Sequence, residues 1–199
     1  MSIELYEQIT DALVKDGYLI IPHAMQNSLA HELLALASQT TNYKKASISR
    51  ALNKQIDSEK RKDSICWLDH DHGAQSKFLN FADGLKEYIN KELFMGIRYF
   101  ESHFAIYEEG DFYETHIDAF KDSKNRVVTA VYYLNENWVD CDGGELIVYD
   151  EENNYLKSVA PHADTLVVFL SDKFPHEVLK ANKRRYSIAG WFRVDGSGC

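Results

Sequence analysis

Ile97-Arg-Tyr-Phe-Glu-Ser-His-Phe-Ala-Ile-Tyr-Glu108 is the first of a series of segments whose side chains follow a period of two. This period is typical of β-strands, because successive side chains point to opposite faces of a sheet. After Gly96 the pattern predicts strands at 97–108, 112–118, 126–134, 144–149, 154–159, 164–170, 175–180 and 185–194. Eight short, closely spaced antiparallel strands indicate a double-sheet jelly roll, also called a double-stranded β-helix.

The first 95 residues carry helical patterns instead. Apolar residues recur at helical spacing over 3–15, 28–38 and 75–93, and Asn27 or Ser28 is the expected cap of the second helix. Tyr18–Ile21 and Ile65–Leu68 predict short strands, whereas polar residues 39–63 predict loop with some strand. Helices followed by strands indicate an α+β fold. We expect one domain over 1–199, with a helical support region (1–95) packed on one sheet of a jelly-roll core (96–194).

The bulk composition fits a single globular domain. The chain has 199 residues, of which 45% are hydrophobic and 27% are charged. No apolar run approaches the length of a membrane span, and the N-terminus lacks the features of a signal peptide. Cys66, Cys141 and Cys199 are too few and too widely spaced for a disulfide framework. We therefore expect a cytoplasmic protein with no membrane partner.

The net charge of −9 disfavours a nucleic-acid partner. A phosphate backbone is bound by several cations on one face. The one dense basic cluster here is Lys183-Arg184-Arg185. Lys183-Arg184 is most simply a solvated turn, and the alternative is that it steers an acidic partner. The charge therefore favours a protein or a small molecule as partner.

A candidate metal site lies in Tyr107-Glu-Glu-Gly-Asp-Phe-Tyr-Glu-Thr-His116-Ile-Asp118 and at His176, 60 residues after His116. His116 and Asp118 point to the same side if they share a strand. Two imidazoles and one carboxylate form the facial triad of non-haem Fe(II) oxygenases, which leaves other positions of the ion open. The run Asp69-His-Asp-His72 is a rival cluster, although adjacent polar residues before a helix more often form a solvated loop.

Arg185, nine residues after His176, indicates an anionic cosubstrate near the metal. A dicarboxylic cosubstrate that chelates the metal at one end leaves its far carboxylate for a guanidinium. On the predicted strand 126–134, Val131 and Tyr133 share a face, so Tyr133 can reach that carboxylate and Val131 can form an apolar wall. One face of the last predicted strand carries Arg185, Ser187, Ala189 and Trp191.

Five fragments carry a resemblance to a known family. They are Arg61-Lys-Asp-Ser-Ile-Cys-Trp67, Tyr107 to Asp118, Arg126 to Asn135, Gly143 to Leu146, and Pro175 to Phe192. In this order and spacing they resemble the Fe(II)/2-oxoglutarate-dependent prolyl 4-hydroxylase family, in particular the hypoxia-sensing prolyl hydroxylases and their bacterial relatives. The resemblance covers about residues 60–193.

The resemblance implies an activity and its cofactors. A prolyl residue of a protein substrate would be hydroxylated, while 2-oxoglutarate is decarboxylated to succinate and CO2. Fe(II) would be the metal, 2-oxoglutarate and O2 the cosubstrates, and ascorbate a further candidate cofactor. No side chain beyond the metal ligands needs to act as a general base.

The resemblance also implies a role for each candidate site residue. Iron would be held by His116, Asp118 and His176. Arg185 and Tyr133 would bind the C5 carboxylate of 2-oxoglutarate, and Tyr107 would border its metal-chelating end or the substrate. The substrate pocket would be lined by Tyr113, Val131 and Trp191.

A structural ion pair and two departures complete the comparison with the animal enzymes. Asp63 and Arg126 would form an ion pair that anchors the loop before Trp67. The segment from Tyr107 to His116 looks one residue shorter, which leaves the shape of the substrate-side loop open. Ala189 stands where those enzymes carry a hydroxyl residue, a change that would loosen 2-oxoglutarate binding.

Two other functions remain open on the sequence. An oxygenase that acts on a free amino acid, another small molecule or an alkylated base would have a closed rim at 39–62 and 119–126, where a polypeptide needs an open groove. A non-enzymatic iron or 2-oxoglutarate sensor would bind the cosubstrate without turning it over, and the complete triad with Arg185 argues against it. The aromatic candidates also have a plainer interpretation as strand or core residues.

Overall fold

The computed structural model describes residues 3–46, 48–50, 53–55, 60–119 and 125–194. Within them the helices are α1 (Ile3–Lys15), α2 (Asn27–Gln39) and α3 (Gly73–Leu93). The strands before Gly96 are β1 (Tyr18–Ile21), β2 (Lys44–Lys45), β3 (Ile48–Arg50), β4 (Asn53–Gln55) and β5 (Ser64–Trp67). The later strands are β6 (Tyr99–Tyr107), β7 (Tyr113–His116), β8 (Arg126–Tyr133), β9 (Leu146–Tyr149), β10 (Tyr155–Val159), β11 (Leu166–Leu170), β12 (His176–Val178) and β13 (Arg185–Arg193).

These strands form two main antiparallel sheets. The larger sheet has the order β1-β11-β8-β13-β6-β5-β2, and the smaller has the order β10-β9-β12-β7. β13 pairs with β6 on one side and β8 on the other, so it lies at the centre of the larger sheet. All eight strands predicted after Gly96 form. The architecture confirms the predicted α+β jelly roll.

Side-chain alternation divides the core into two layers. Neighbouring Tyr132 and Tyr133 on β8 are both fully buried, but they belong to different layers. The first layer packs the helices against the larger sheet through Ile9, Leu33, Leu85, Phe104, Val168 and Ile188. The second packs the two sheets together through Tyr107, Val131, Tyr133, Leu146, Val148 and Val178. The helices therefore cover one face of the larger sheet, as predicted, and the site lies on the other.

The region before residue 96 also contributes strands to the larger sheet. β1 pairs with β11, β5 pairs with β6, and β2 pairs with β5. Residues 47, 51, 52 and 56–59 of the predicted loop-and-strand region lie outside the described residues. Gln26 is the N-cap of α2 and makes no side-chain cap bond, so neither Asn27 nor Ser28 caps this helix. In the described ranges no helix is long and apolar enough to cross a membrane.

Candidate active site

The two candidate histidines lie directly opposite each other on neighbouring strands. His116 ends β7 and pairs in antiparallel register with His176 at the start of β12. Nδ1 of His116 lies 2.8 Å from the carbonyl oxygen of Glu114, and Nδ1 of His176 lies 2.9 Å from that of Phe174. A carbonyl only accepts, so both Nδ1 atoms carry the proton. This tautomer leaves each Nε2 lone pair free for a metal.

Asp118 completes the cluster from a bend beyond β7. The strand predicted to reach 118 ends at His116, so strand alternation does not place this carboxylate. Asp118 is 6% exposed and accepts a hydrogen bond of 2.8 Å from Oγ1 of Thr129 on β8. Its Oδ1 lies 3.8 Å from Nε2 of His116, and its Oδ2 lies 3.6 Å from Nε2 of His176. The hydrogen bond from Thr129 therefore fixes the carboxylate at the edge of both rings.

The pKa values of His116 and Asp118 are both lowered, toward the forms that bind a metal. Burial and then the neighbouring His176 lower the pKa of His116 to about 3. Burial would raise the pKa of Asp118, but the two histidines outweigh it, and the pKa is lowered. The ligand atoms lie within 4.8 Å of one another, and no other such group occurs among the described residues. A neutral His116 imidazole and an ionised Asp118 carboxylate are the forms of these ligands that bind Fe(II).

We expect Thr129→Val to weaken iron binding. Oγ1 of Thr129 donates to Asp118 and lies 2.8 Å from Oγ of Ser171, so valine removes this link at nearly the same shape. Loss of a hydrogen bond behind a metal ligand typically costs about 10- to 100-fold in affinity. Anaerobic titration of Fe(II) against a chromophoric chelator measures the effect. Thr129→Ser keeps the hydroxyl and is the control, and wild-type affinity in the valine variant would contradict this role.

Arg185 is a buried cation for which the described residues provide no carboxylate partner. It is 1% exposed, and its guanidinium carbon lies 4.9 Å from the ring centre of Tyr107 and 5.0 Å from that of Tyr133. Nη1 donates to Oγ of Ser187 at 3.3 Å, and Nε has no hydrogen-bond partner. A buried charge is costly unless it is compensated. This position therefore fits an anionic ligand such as a carboxylate.

The hydroxyl of Tyr133 is a second buried polar group without a partner. The side chain is fully buried, and the hydroxyl makes no hydrogen bond. Burial raises the pKa of Tyr133, and Arg185 opposes that rise. The phenol and Nε of Arg185 are both donors, and a carboxylate can accept from both. The two groups therefore fit one end of 2-oxoglutarate.

One cavity of about 1380 Å³ connects the metal cluster to Arg185. Eight of the nine predicted site residues line it: Tyr107, Tyr113, His116, Asp118, Val131, His176, Arg185 and Trp191. Tyr133 is not part of the cavity wall and contacts it through Arg185. The structure therefore brings all nine predicted residues together.

Two aromatic residues of the cavity wall pack against its charged groups. Tyr113 stacks on His116 with ring centres 3.6 Å apart, and its ring centre lies 4.6 Å from the guanidinium carbon of Arg61. Trp191 is 6% exposed, and the guanidinium carbon of Arg126 lies 3.8 Å from its ring centre. Both residues therefore combine a packing role with a place on the cavity wall.

The ion pair predicted between Asp63 and Arg126 does not form. Both oxygens of Asp63 accept from Arg61, at 2.5 and 2.9 Å. Arg126 instead binds Glu101 at 3.1 Å. Arg61 and Asp63 are two residues apart in extended chain, so their side chains point to the same side. They can therefore pair with little loss of conformational entropy. Arg126 lies instead against Glu101 and the ring of Trp191, so it makes its ion pair there.

The rival metal cluster belongs to the start of a helix. His72 is the N-cap of α3, and its Nδ1 accepts from the main-chain N–H of Ala74 at 3.3 Å. Oδ1 of Asp69 accepts from the main-chain N–H of Asp71 at 3.1 Å. These side chains satisfy main-chain donors and do not converge on one point.

Two hydroxyl residues of the site received no role from the sequence. Thr129 holds Asp118, and Ser187 accepts from Arg185. Thr129 lies four residues from Tyr133 on one strand, and Ser187 lies two residues from Arg185 on another. The alternation that indicated Tyr133 and Arg185 could therefore have indicated both hydroxyls.

Comparison with known proteins assigns this geometry to a class. The family model described as the 2OG-Fe(II) oxygenase superfamily matches residues 102–193. A crystal structure of a Pseudomonas putida prolyl-4-hydroxylase superposes with a TM-score of 0.87 at 36% identity, covering 96% of this chain and 100% of that one. A prolyl hydroxylase in complex with a hypoxia inducible factor oxygen degradation domain peptide fragment from Trichoplax adhaerens gives 0.84 at 30% identity, covering 96% and 89%. The chain belongs to the prolyl hydroxylase family of the 2OG-Fe(II) oxygenases.

The curated relatives include the human prolyl hydroxylase EGLN3. It is 32% identical over 142 residues, which are 66% of this chain and 58% of that protein. The chain spans between 12% and 58% of the length of the curated relatives that it matches. These findings confirm the family predicted from the sequence fragments.

Proposed function

We propose that this protein is an Fe(II)- and 2-oxoglutarate-dependent dioxygenase that hydroxylates prolyl residues of a protein, with release of succinate and CO2. The observation that carries this proposal is a single cavity that contains both the His116–Asp118–His176 cluster and the uncompensated Arg185 cation. Two solved relatives named as prolyl hydroxylases, at 36% and 30% identity, support the prolyl substrate.

The chain's own residues hold and orient the reactants in this proposal. The metal ligands are His116, Asp118 and His176. When bound, iron and 2-oxoglutarate supply the O2 activation and the oxidative decarboxylation. Arg185 and Tyr133 bind the C5 carboxylate. Burial keeps the pKa of Tyr107 well above its ordinary value, so its neutral phenol can donate a hydrogen bond to the cosubstrate.

The size of the cavity supports a polypeptide substrate. Small-ligand pockets typically enclose roughly 300–1,000 Å³, and this cavity encloses about 1380 Å³. Tyr113, Val131 and Trp191 form its wall beside the metal cluster, where we place the target proline. A free amino acid would leave much of this volume to water. Residues 120–124 of the predicted rim lie outside the described residues.

We further propose residues 1–199 as a single oxygenase domain, the cytoplasm as its location and ascorbate as an auxiliary reductant. β1, β2 and β5 extend the sheet whose centre is β13, which supports one domain. Cys66 and Cys141 are free thiols, and free thiols suit a reducing compartment. Such a compartment would also keep iron as Fe(II). Ascorbate rests on the family resemblance alone.

Mass spectrometry of host-cell proteins tests the proposed activity. After incubation with the enzyme, Fe(II), 2-oxoglutarate and O2, we expect proline-containing peptides heavier by one oxygen atom, together with succinate. The same incubation with Asp118→Ala is the control. Succinate formation stimulated by a free amino acid, with no oxidised protein, would instead indicate a small-molecule oxygenase. Binding of 2-oxoglutarate with no succinate under any condition would indicate a sensor.

A further inference from the structure

We propose that the substrate segment bound by this enzyme is acidic and that four lysines on or beside the cavity wall recognise it. The lysines are Lys44, Lys45, Lys62 and Lys180, and we call them the lysine rim. The inference deepens the proposed function and rests on it, because it specifies the chemistry of the polypeptide substrate.

The lysine rim adjoins the cavity that contains the metal cluster. Lys44 and Lys45 form β2, the last strand of the larger sheet, and both line the cavity. Nζ of Lys45 donates to the carbonyl oxygen of Lys62 at 2.9 Å, which joins β2 to the next segment. Nζ of Lys62 and Nζ of Lys180 lie 5.1 and 5.8 Å from the ring centre of Phe112. All four lysines are exposed.

Three of the four carboxylates that line the cavity have other partners, and the fourth, Glu114, is exposed. Asp63 binds Arg61, and Asp118 belongs to the metal cluster. Glu101 binds both Arg126 and Arg193. In the part of the chain that the structure describes, no ion pair joins a lysine of the rim to a carboxylate. Lys44 and Lys45, which line the cavity, therefore present positive charge to a ligand that enters it.

Three of the rim lysines, Lys44, Lys45 and Lys62, belong to a basic stretch of sequence in an acidic chain. Residues 44–62 contain seven Lys and Arg against two Asp and Glu, whereas the chain contains 22 against 31. A local cationic surface on an acidic protein attracts negatively charged partners and disfavours positively charged ones. The lysine rim would repel a basic substrate, and it attracts an acidic one.

The densest basic cluster of the sequence does not provide such a surface. Lys183 pairs with Asp142 at 2.5 Å, and Arg184 pairs with Glu108 at 2.8 Å. Arg185, the third member, is buried in the site. Lys183 and Arg184 are therefore paired with carboxylates, and we assign the attraction of an acidic partner to the lysine rim instead.

Apolar side chains at the same cavity favour a polypeptide over a nucleic acid as the acidic ligand. Trp67 and Ile117 line the cavity and are 52% and 42% exposed, respectively. They offer contact to a proline and its apolar neighbours, while the lysine rim meets acidic residues further along the segment.

A charge-reversal experiment tests this inference through binding. The variant Lys44→Glu/Lys45→Glu is compared with Lys15→Glu/Lys91→Glu, which changes the net charge equally at two exposed helix positions. The probes are fluorescein-labelled peptides with one central proline and acidic, neutral or basic flanks. Anisotropy is measured without O2, with Fe(II) and 2-oxoglutarate bound, at low and high salt.

We expect the wild type to bind the acidic peptide at least about tenfold more tightly than the basic one, with the difference shrinking at high salt. The Lys44/Lys45 reversal should abolish or invert this preference, and the control pair should keep it. Basal succinate formation without peptide should be the same in the wild type and in the control pair. Equal binding of acidic and basic peptides by the wild type would overturn the inference, as would an unchanged preference in the reversal variant.

Two further outcomes separate this inference from the proposed function. Tighter binding of a single-stranded oligonucleotide than of the acidic peptide would assign the rim to nucleic acid and overturn the inference. Selective binding of the acidic peptide, with no hydroxylation of any peptide, would support the lysine rim and contradict prolyl hydroxylation. The binding test of the lysine rim and the hydroxylation test of the proposed function can therefore fail independently of each other.

Discussion

Asp118→Ala is expected to abolish 2-oxoglutarate turnover, lowering the rate of succinate formation by at least about 100-fold. Its carboxylate is the one anion of the cluster and lies 3.8 and 3.6 Å from the two histidine Nε2 atoms. Alanine leaves only the two imidazoles as ligands for a dication, and it removes the carboxylate that accepts from the hydroxyl of Thr129. Succinate formation and anaerobic Fe(II) titration measure the loss of turnover and of metal.

The control for this substitution is Asp69→Ala in the rival cluster. Asp69 is exposed and accepts only a local main-chain hydrogen bond among its described contacts. We expect wild-type turnover and iron affinity in this variant. Circular dichroism and Tm of both variants separate metal loss from misfolding. Undiminished succinate formation by a folded Asp118→Ala variant would show that the triad is assigned wrongly.

Arg185→Gln should raise KM for 2-oxoglutarate by about 30-fold or more. Removing one partner of a buried charge pair typically costs about 2–5 kcal/mol, and 1.4 kcal/mol corresponds to about tenfold. Arg185 is 1% exposed and has only Ser187 as a side-chain hydrogen-bond acceptor, so a bound carboxylate is its main compensation. The variant should also stop discriminating between 2-oxoglutarate and 2-oxopentanoate, which lacks the C5 carboxylate.

Arg184→Gln is the matched control, one residue away on the chain. Its side chain is 54% exposed and pairs with Glu108 at the surface, where an ion pair is worth about 0–1 kcal/mol. KM for 2-oxoglutarate should not change in this variant. In a readout independent of turnover, 2-oxoglutarate should raise Tm of the wild type and of Arg184→Gln but not of Arg185→Gln. A normal KM in Arg185→Gln would place the C5 carboxylate elsewhere.

Local patterns predicted most of the secondary structure. The helix at 3–15 has the predicted bounds, and each period-two segment after Gly96 contains a strand. These patterns are local because each helix or strand buries one face, and the apolar residues of that face recur at a fixed period along the chain. The order of strands is not local. β13 lies between β6 and β8, which come much earlier in the chain, and β1 joins the same sheet through β11.

The sequence by itself determined the types of ligand and their chemistry. His116, Asp118, His176 and Arg185 could be recognised because few residue types bind a metal or a carboxylate, and their spacing matched a known order of fragments. The spacing alone could not predict that His116 and His176 face each other across a strand pair. That register is set by contacts between segments 60 residues apart.

Only the tertiary structure decided which partner each buried polar group has. Strand alternation did not place Asp118, which instead depends on Thr129 from another strand. Asp63 pairs with Arg61 and not with Arg126. The members of the lysine rim come from three separate segments, which are β2, Lys62 and Lys180, and only the fold brings these segments near one another. A residue's type determines what it can bind, whereas hydrogen bonds and ion pairs depend on proximity and burial, which only the folded chain determines.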